Sequence, residues 1–182
     1  MQETVPGKQC LADMKAGTDN GPAGTPQSLS LLGPHMKHEI ATVITISASP
    51  ERVWAVLLDF ARYPEWNPFV RSIEGAPSEG SSLKVTIAPP GGKAMTFRPI
   101  VLRHSVAREF RWKGKFLFAG LFDGEHHFSL SAVPGGATQF THGENFSGLL
   151  VPLMRGALEG GTRAGFEAMN LALKQRVEAR GA

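Results

Sequence analysis

Polar and apolar positions along the chain change their period three times. "HEIATVITIS", residues 38–47, alternates β-branched and polar side chains, which predicts a strand. In "SASPERVWAVLLDFARYPEWNPF" the period lengthens: Ser49 stands as an N-cap, Pro50 takes the first helical position, and Val53, Val56, Leu57 and Phe60 follow at helical spacing. Pro64 and Pro68 end that helix and leave room for one further turn around Glu65 to Asn67. From Val70 onward the pattern is of strands punctuated by "APSEGSS", "APPGGKA", a break near Ala107, "AGLFDGE" and "VPGGA". Leu83, Val85 and Ile87 share one face, as do Phe110, Trp112, Phe116 and Phe118 opposite Arg111, Lys113 and Lys115. Val133-Pro134-Gly135-Gly136 joins the last two strands as an antiparallel hairpin.

From Val151 to Ala179 the spacing is helical, with Met154, Leu158, Phe166, Met169, Leu173 and Val177 on one broad face. Gly156, Gly160, Gly161 and Gly165 each cost about 1 kcal/mol relative to Ala in a helix interior. Two explanations stand open: small residues that let the helix approach a sheet or leave space for a ligand, or a kinked first half with no further meaning. The element order is strand, helix pair, about six antiparallel strands and one long helix. It predicts a two-layer α+β domain, in which a curved antiparallel sheet of about seven strands wraps the C-terminal helix. A groove or tunnel between sheet and helix is expected.

Composition narrows the setting. With 182 residues the chain suits one domain, and no apolar run approaches the roughly 18 residues of a membrane span. The net charge of +3 comes from scattered Lys and Arg, which argues against a nucleic-acid partner. Cys10 is the single cysteine, so no intrachain disulfide or Cys-based zinc site can form, and a cytoplasmic location is expected. Residues 1–35 are a different kind of sequence, with no aromatic residue, five glycines and four prolines. Such a stretch buries too little apolar surface to offset its ordering entropy. "SLSLL" is too short for a secretory signal. Residues 1–35 read as a disordered leader, or, given "GPHM" at 33–36, as a remnant of cloning or protease cleavage, and 36–182 as the folded domain.

Five segments together carry a family resemblance: "ISASPERVWAVLLDFARYPEWNPF", "MTFRPIVLRHSVAREFRWKG", "GEHHFSL", "TQFTHGENFSGLL" and "GFEAMNLALKQRVE". Over residues 37–180 the chain resembles the START-like, or helix-grip, superfamily of polyketide cyclases and aromatases, lipid-transfer domains, pollen allergens and hormone receptors. It is most similar to the bacterial polyketide cyclase/dehydrase-like (SRPBCC) branch. The first segment marks the fold, with Trp54 packing the helix and the Tyr-Pro-x-Trp-Asn turn closing the sheet's end. The resemblance implies a hydrophobic cavity, and it does not by itself fix a reaction, because one fold carries binding proteins and enzymes.

"EHHFSLSAVPGGATQFTHGENF", residues 125–146, gathers three histidines and two glutamates. Alternation turns His126, Phe128 and Leu130 inward, with Glu125 and His127 toward solvent; in the next strand Phe140, His142, Glu144 and Phe146 face in. Three roles are open for His126, His142 and Glu144: structural groups that satisfy one another, the polar end of an apolar pocket, or catalytic or metal-binding groups. As a catalytic set, a His–Glu pair would act as general base and orienter beside a carbonyl or in a dehydration. The hairpin spacing is no metal signature, and neither a nucleophile elbow nor a phosphate loop accompanies it. No metal and no cofactor are expected.

The remaining pocket candidates are Trp66, Phe97, Arg98, Phe110, Trp112, Phe116, Phe118, Phe128, Phe140, Met154, Leu158, Gly161, Gly165 and Met169. Arg98 is weighed as a clamp for a carboxylate, and Trp66 with Asn67 as a rim or a fold-closing turn. Neither His104 nor Arg98 can be given a direction, because both faces of that strand are mixed. Arg155 and Arg163 are within reach of an acidic ligand group or simply solvated. The leading expectation is binding or transport of a small hydrophobic or aromatic ligand by a monomer or weak homodimer. The alternative is a cofactor-independent cyclase or dehydratase-like enzyme. A protein-interaction module resembling the activator of the heat-shock chaperone is the least favoured class.

Overall fold

A computed structural model of the chain describes residues 37–115 and 119–179. Residues 1–35, which the sequence reads as a leader or a cleavage remnant, and the aromatic positions Phe116 and Phe118 lie outside the described residues. Strand β1 (Lys37–Ile46) is followed by helix α1 (Pro50–Leu57), a 3-10 turn (Phe60–Arg62) and the single helical turn α2 (Tyr63–Trp66). Strands β2 (Val70–Glu74), β3 (Lys84–Ile87), β4 (Met95–Phe97), β5 (Ile100–Ser105), β6 (Glu109–Lys115), β7 (Asp123–Val133) and β8 (Ala137–Ser147) come next. Helix α3 (Val151–Ala157), a π turn (Leu158–Thr162) and helix α4 (Arg163–Ala179) close the chain.

All strand pairings are antiparallel, in the orders β1-β8-β7-β6-β5 and β2-β3-β4. A bridge between Ser82 and Ile100 joins the two groups, reinforced by the Leu83 N–H donating to the Pro99 carbonyl at 2.9 Å. The described residues thus contain eight strands rather than about seven. The stretch around Arg98 that reads as one strand with mixed faces is two strands. Pro99 has no N–H to give to a ladder, and the chain passes there from one sheet group to the other.

Local chemistry explains the corners. The Tyr63 hydroxyl, fully buried, donates to the Leu57 carbonyl at 2.7 Å. Asn67 Oδ1 accepts from the Phe69 and Val70 N–H groups at 3.0 and 2.9 Å, turning the chain into β2. The "YPEWN" turn is therefore a fold-closing element. Between β7 and β8, Gly135 and Gly136 take φ of +86° and +75°, a conformation open to glycine at little cost.

Helix α4 lays Phe166, Met169, Leu173 and Val177 on the sheet, all buried. Gly165 permits the approach: a Cβ there would stand 2.2 Å from the Phe69 ring. The other glycines have different reasons. Gly156 and Gly160 face open space, and Gly161 meets Pro89 only at ordinary contact distance. Gly160 and Gly161 sit in the π turn, whose wider i→i+5 ring shifts the phase of everything N-terminal to it. Met154, which continues the apolar stripe at 3.6-residue spacing, is consequently 37% exposed, whereas Leu158 remains buried.

Candidate functional site

Even-numbered positions of β1, β6, β7 and β8 face α4, and register brings them into rows. One row runs Ile40, Glu144, His126, Trp112; the next runs Thr42, His142, Phe128, Phe110. The histidine rings are held by aromatic contacts. His126 lies parallel to Trp112, with centroids 4.5 Å apart and planes 8° apart, and His142 stacks on Phe166 at 3.8 Å. Phe128 and Phe140 stack at 5.7 Å.

This packing corrects the expected cavity wall. Phe110, Trp112, Phe128, Phe140 and Met169 are core residues, none more than 2% exposed, and the four aromatic rings touch in series where a tunnel was expected. Two depressions stand out among the described residues, and both lie elsewhere. One, of about 530 Å³, is lined mostly by charged and polar residues at the ends of β1, β6, β7 and β8, including Lys37, Glu39, Lys113 and Glu125. The other, of about 260 Å³, lies along the seam of β1 and α4, where Thr42 and Asn170 meet Arg163 and Glu167.

A continuous file of polar side chains crosses the aromatic core. Glu144 Oε2 meets His126 Nδ1 at 3.3 Å, and His126 Nε2 meets His142 Nε2 at 3.0 Å. His142 Nδ1 meets Asn170 Oδ1 at 3.0 Å, and Asn170 Nδ2 donates to Thr42 Oγ1 at 2.9 Å. Thr42 Oγ1 donates to the His142 carbonyl at 3.3 Å. Because His126 Nε2 and His142 Nε2 face each other, the ring lone pairs do not converge on a common point with the carboxylate. Among the described residues no three such side chains are arranged to hold a metal ion.

Burial decides the charge states. Removal from water pushes the Glu144 carboxyl up to about 8 and the His126 imidazole down to about 3. Burial, with the neighbouring His126, also lowers His142 well below the ordinary imidazole value. The Glu144–His126 contact is therefore a neutral hydrogen bond at neutral pH rather than an ion pair, with the proton on the carboxyl. Glu144 is the one member of the file that water reaches appreciably, its side chain being 20% exposed. Its Oε1 leans over the bare backbone of Gly124, where a Cβ would stand only 2.3 Å away. Gly124 pairs with Gly114 of β6, over which the Phe97 ring lies. Two facing glycines thus carry no side chain of their own at this end of the inner sheet surface, and the Glu144 carboxyl and the Phe97 ring lie over them.

Other expected site residues fall apart from this cluster. Arg98 and Arg155 are exposed, and Met154 is at the surface. Arg163 donates to the Ala41 carbonyl and pairs with Glu159. Trp66 packs edge-on against Tyr63, and Gly165 is occupied by Phe69. His104, whose direction the sequence leaves open, faces inward and stacks on Trp54 at 5.6 Å. His127 corrects a second expectation. It does lie on the outer face, yet it is only 9% exposed, because its ring covers the space that Gly143 leaves on the adjacent strand. Sequence reasoning missed Asn170 and Thr42. Asn170 is a polar residue inside the stripe Phe166, Met169, Leu173, and Thr42 shares the inward phase of Ile40 and Ile44, so both carried a legible signal.

An antiparallel sheet gripping a long C-terminal helix, with a buried polar file ending at an accessible carboxyl, defines a helix-grip protein. Comparison with known proteins agrees. The model of the family described as "Polyketide cyclase / dehydrase and lipid transport" matches residues 37–178, and the chain belongs to that family. Curated protein sequences give no match. Among solved structures, the Zhui aromatase/cyclase from Streptomyces sp. R1128 superposes with a TM-score of 0.66 at 16% identity, covering 81% of this chain and 97% of that one. A START superfamily protein from Mycobacterium smegmatis gives 0.61 at 22% identity, covering 79% and 99%. A norcoclaurine synthase from Thalictrum flavum gives 0.64 at 12%, covering 81% and 98%. These likenesses establish a shared fold. No helix among the described residues is long and apolar enough to cross a membrane.

Proposed function

We propose that the protein binds a small molecule with an apolar or aromatic body at the glycine-floored end of the grip, with Glu144 as its polar contact. The observation that carries this reading is the state of Glu144 Oε1. Every other joint of the file is paired within the protein, whereas this oxygen accepts no hydrogen bond from the described residues and stands where solvent enters. An apolar surround with one convergent polar group is the usual character of a small-molecule site. The polar depression of about 530 Å³ has the wrong chemistry for such a ligand. Native mass spectrometry of protein purified without organic solvent should show a co-purified hydrophobic molecule. The same class of molecule should raise Tm in a panel of fatty acids, sterols, flavonoids and polyketides. A protein that is consistently empty and shows no shift across the panel rejects the reading.

A second reading, a cofactor-independent acid–base enzyme, is favoured by the Glu144–His126 contact itself. One proton shared between a carboxyl and an imidazole lets Glu144 protonate or deprotonate a ligand while His126 holds the balancing charge. Glutamine at 144 preserves a donor toward His126 and an acceptor toward the ligand but carries no transferable proton. Glu144→Gln should therefore abolish turnover of a cyclisation or dehydration substrate while changing its affinity by less than about tenfold, or about 1.4 kcal/mol. Unchanged turnover in this variant excludes the enzymatic role.

A further inference from the structure

The polar file has a direction, and that direction is set at the end farthest from Glu144. The Thr42 hydroxyl has a single proton, which it donates to the carbonyl of His142, its cross-strand partner. Toward Asn170 it must then accept, which turns the amide nitrogen to Thr42 and leaves Oδ1 facing His142. An amide oxygen only accepts, so His142 carries its proton on Nδ1. A neutral ring protonated on Nδ1 has a lone pair on Nε2, so His126 must donate from its own Nε2. The shared proton of the last joint then lies on either Glu144 Oε2 or His126 Nδ1. In both cases Glu144 Oε1 is left as an acceptor. Were the amide reversed, Thr42 would abandon the His142 carbonyl and both rings would change tautomer. His126 Nδ1 would then donate to Glu144 Oε2, and the carboxyl proton would be displaced to Oε1, which would face the ligand as a donor.

We infer that Asn170 and Thr42 are positioning residues: they touch no ligand, yet they fix the tautomers of His142 and His126 and so keep Glu144 able to hold a proton while presenting Oε1 as an acceptor. The ligand group that fits is a hydrogen-bond donor, such as a phenolic, enolic or alcoholic hydroxyl. This consequence for the ligand rests on the binding role given to Glu144; the tautomer assignment does not. Both residues are buried beneath the 260 Å³ depression at the β1/α4 seam, which they help to line, so the controlling end of the file lies at the other end from Glu144.

The test is long-range ¹H–¹⁵N NMR of the full chain labelled at histidine nitrogen. Wild-type protein should show His142 protonated on Nδ1 and bare on Nε2, with His126 carrying a proton on Nε2. A His142 ring bare on Nδ1 overturns the inference without any variant. Asn170→Leu and Thr42→Val should each shift His142 toward a mixture of tautomers. Asn170→Asp, which still only accepts at His142, and Thr42→Ser should restore the wild-type pattern. A folded Asn170→Leu with unchanged tautomers also overturns it; should that variant not fold, Thr42→Val decides by the same criterion. A matched pair of probes supplies the functional arm. Naphth-2-ol should bind a few-fold to about tenfold more tightly than 2-methoxynaphthalene, and the ratio should shrink in Thr42→Val. Equal binding of the two probes overturns the acceptor assignment. Binding of neither removes the ligand-binding role of Glu144, while the NMR result still decides the tautomers.

Discussion

Glu144 and His126 respond to pH in opposite senses, and their sum makes a specific stability profile. Folded protein keeps the Glu144 proton up to about pH 8, whereas an unfolded chain releases it near 4.5. Between those values the unfolded state binds fewer protons, so stability falls as pH rises. His126 titrates near 3 when folded and near 6.5 when unfolded, so over that window stability is lost as pH falls. His142 acts in the same direction. Below pH 6.5 the imidazoles outweigh the single carboxyl; above it only Glu144 remains. Urea midpoints measured against pH should therefore peak near pH 6.5 and decline toward 8. The declining limb is shallow, because a fifth of the Glu144 side chain is open to water. Glu144→Gln should flatten it, and a wild-type midpoint that keeps rising to pH 8 contradicts a neutral buried carboxyl. Alternation alone assigned His126, His142 and Glu144 to the inner face. It could not show that His127 is covered, since that depends on a missing side chain at Gly143 one strand away.

At the scale of elements, the C-terminal helix is built of two unlike halves. In α4, Gly165 stands where the backbone must clear the Phe69 ring, and that ring is itself wedged edge-on against Phe166. Gly165→Ala gains about 1 kcal/mol of helix propensity but forces a well-packed contact apart at a cost of about 1–3 kcal/mol. The variant should unfold at lower temperature than wild type, whereas Gly160→Ala, with nothing within 4 Å, should not. Equal Tm values for Gly165→Ala and wild type would remove the packing argument. The helical period of Phe166 through Val177 was legible because each inward position is apolar. The π turn was not, since an i→i+5 ring leaves no signature beyond tolerated glycines, and Met154 was misplaced for that reason. Nor was the division of the strand around Arg98 legible: Pro99 was visible, but which sheet group each half joins depends on long-range pairing.

Over the whole molecule, the order of elements and the period of each were enough to predict a two-layer domain of sheet and C-terminal helix, because their apolar faces have few ways to cover each other, and the family resemblance named it as a helix grip. How tightly they close was not specified. Aromatic residues that line a cavity and aromatic residues that fill one have the same pattern in sequence; ring contacts such as Phe128 on Phe140 distinguish them. The file from Glu144 to Thr42 draws on β1, β7, β8 and α4, whose members lie up to 128 residues apart in the chain. No motif spans such a set, which explains why only the hairpin portion stood out.

Gly114 and Gly124 give the grip a property that engineering can use. For a ligand bound as proposed, Gly124 beneath the Glu144 carboxyl and Gly114 beneath the Phe97 ring would set how deep it sits, in the way a stop sets the travel of a drawer. Each added methyl would raise that stop, and at position 124 it would also push the carboxyl aside. On that proposal ligand length would be governed at two neighbouring backbone positions, and the tautomers that tune the carboxyl at the far end of the file. Gly114, which meets Phe97 and Pro99 and no member of the file, would then be the position at which depth changes while the carboxyl stays in place.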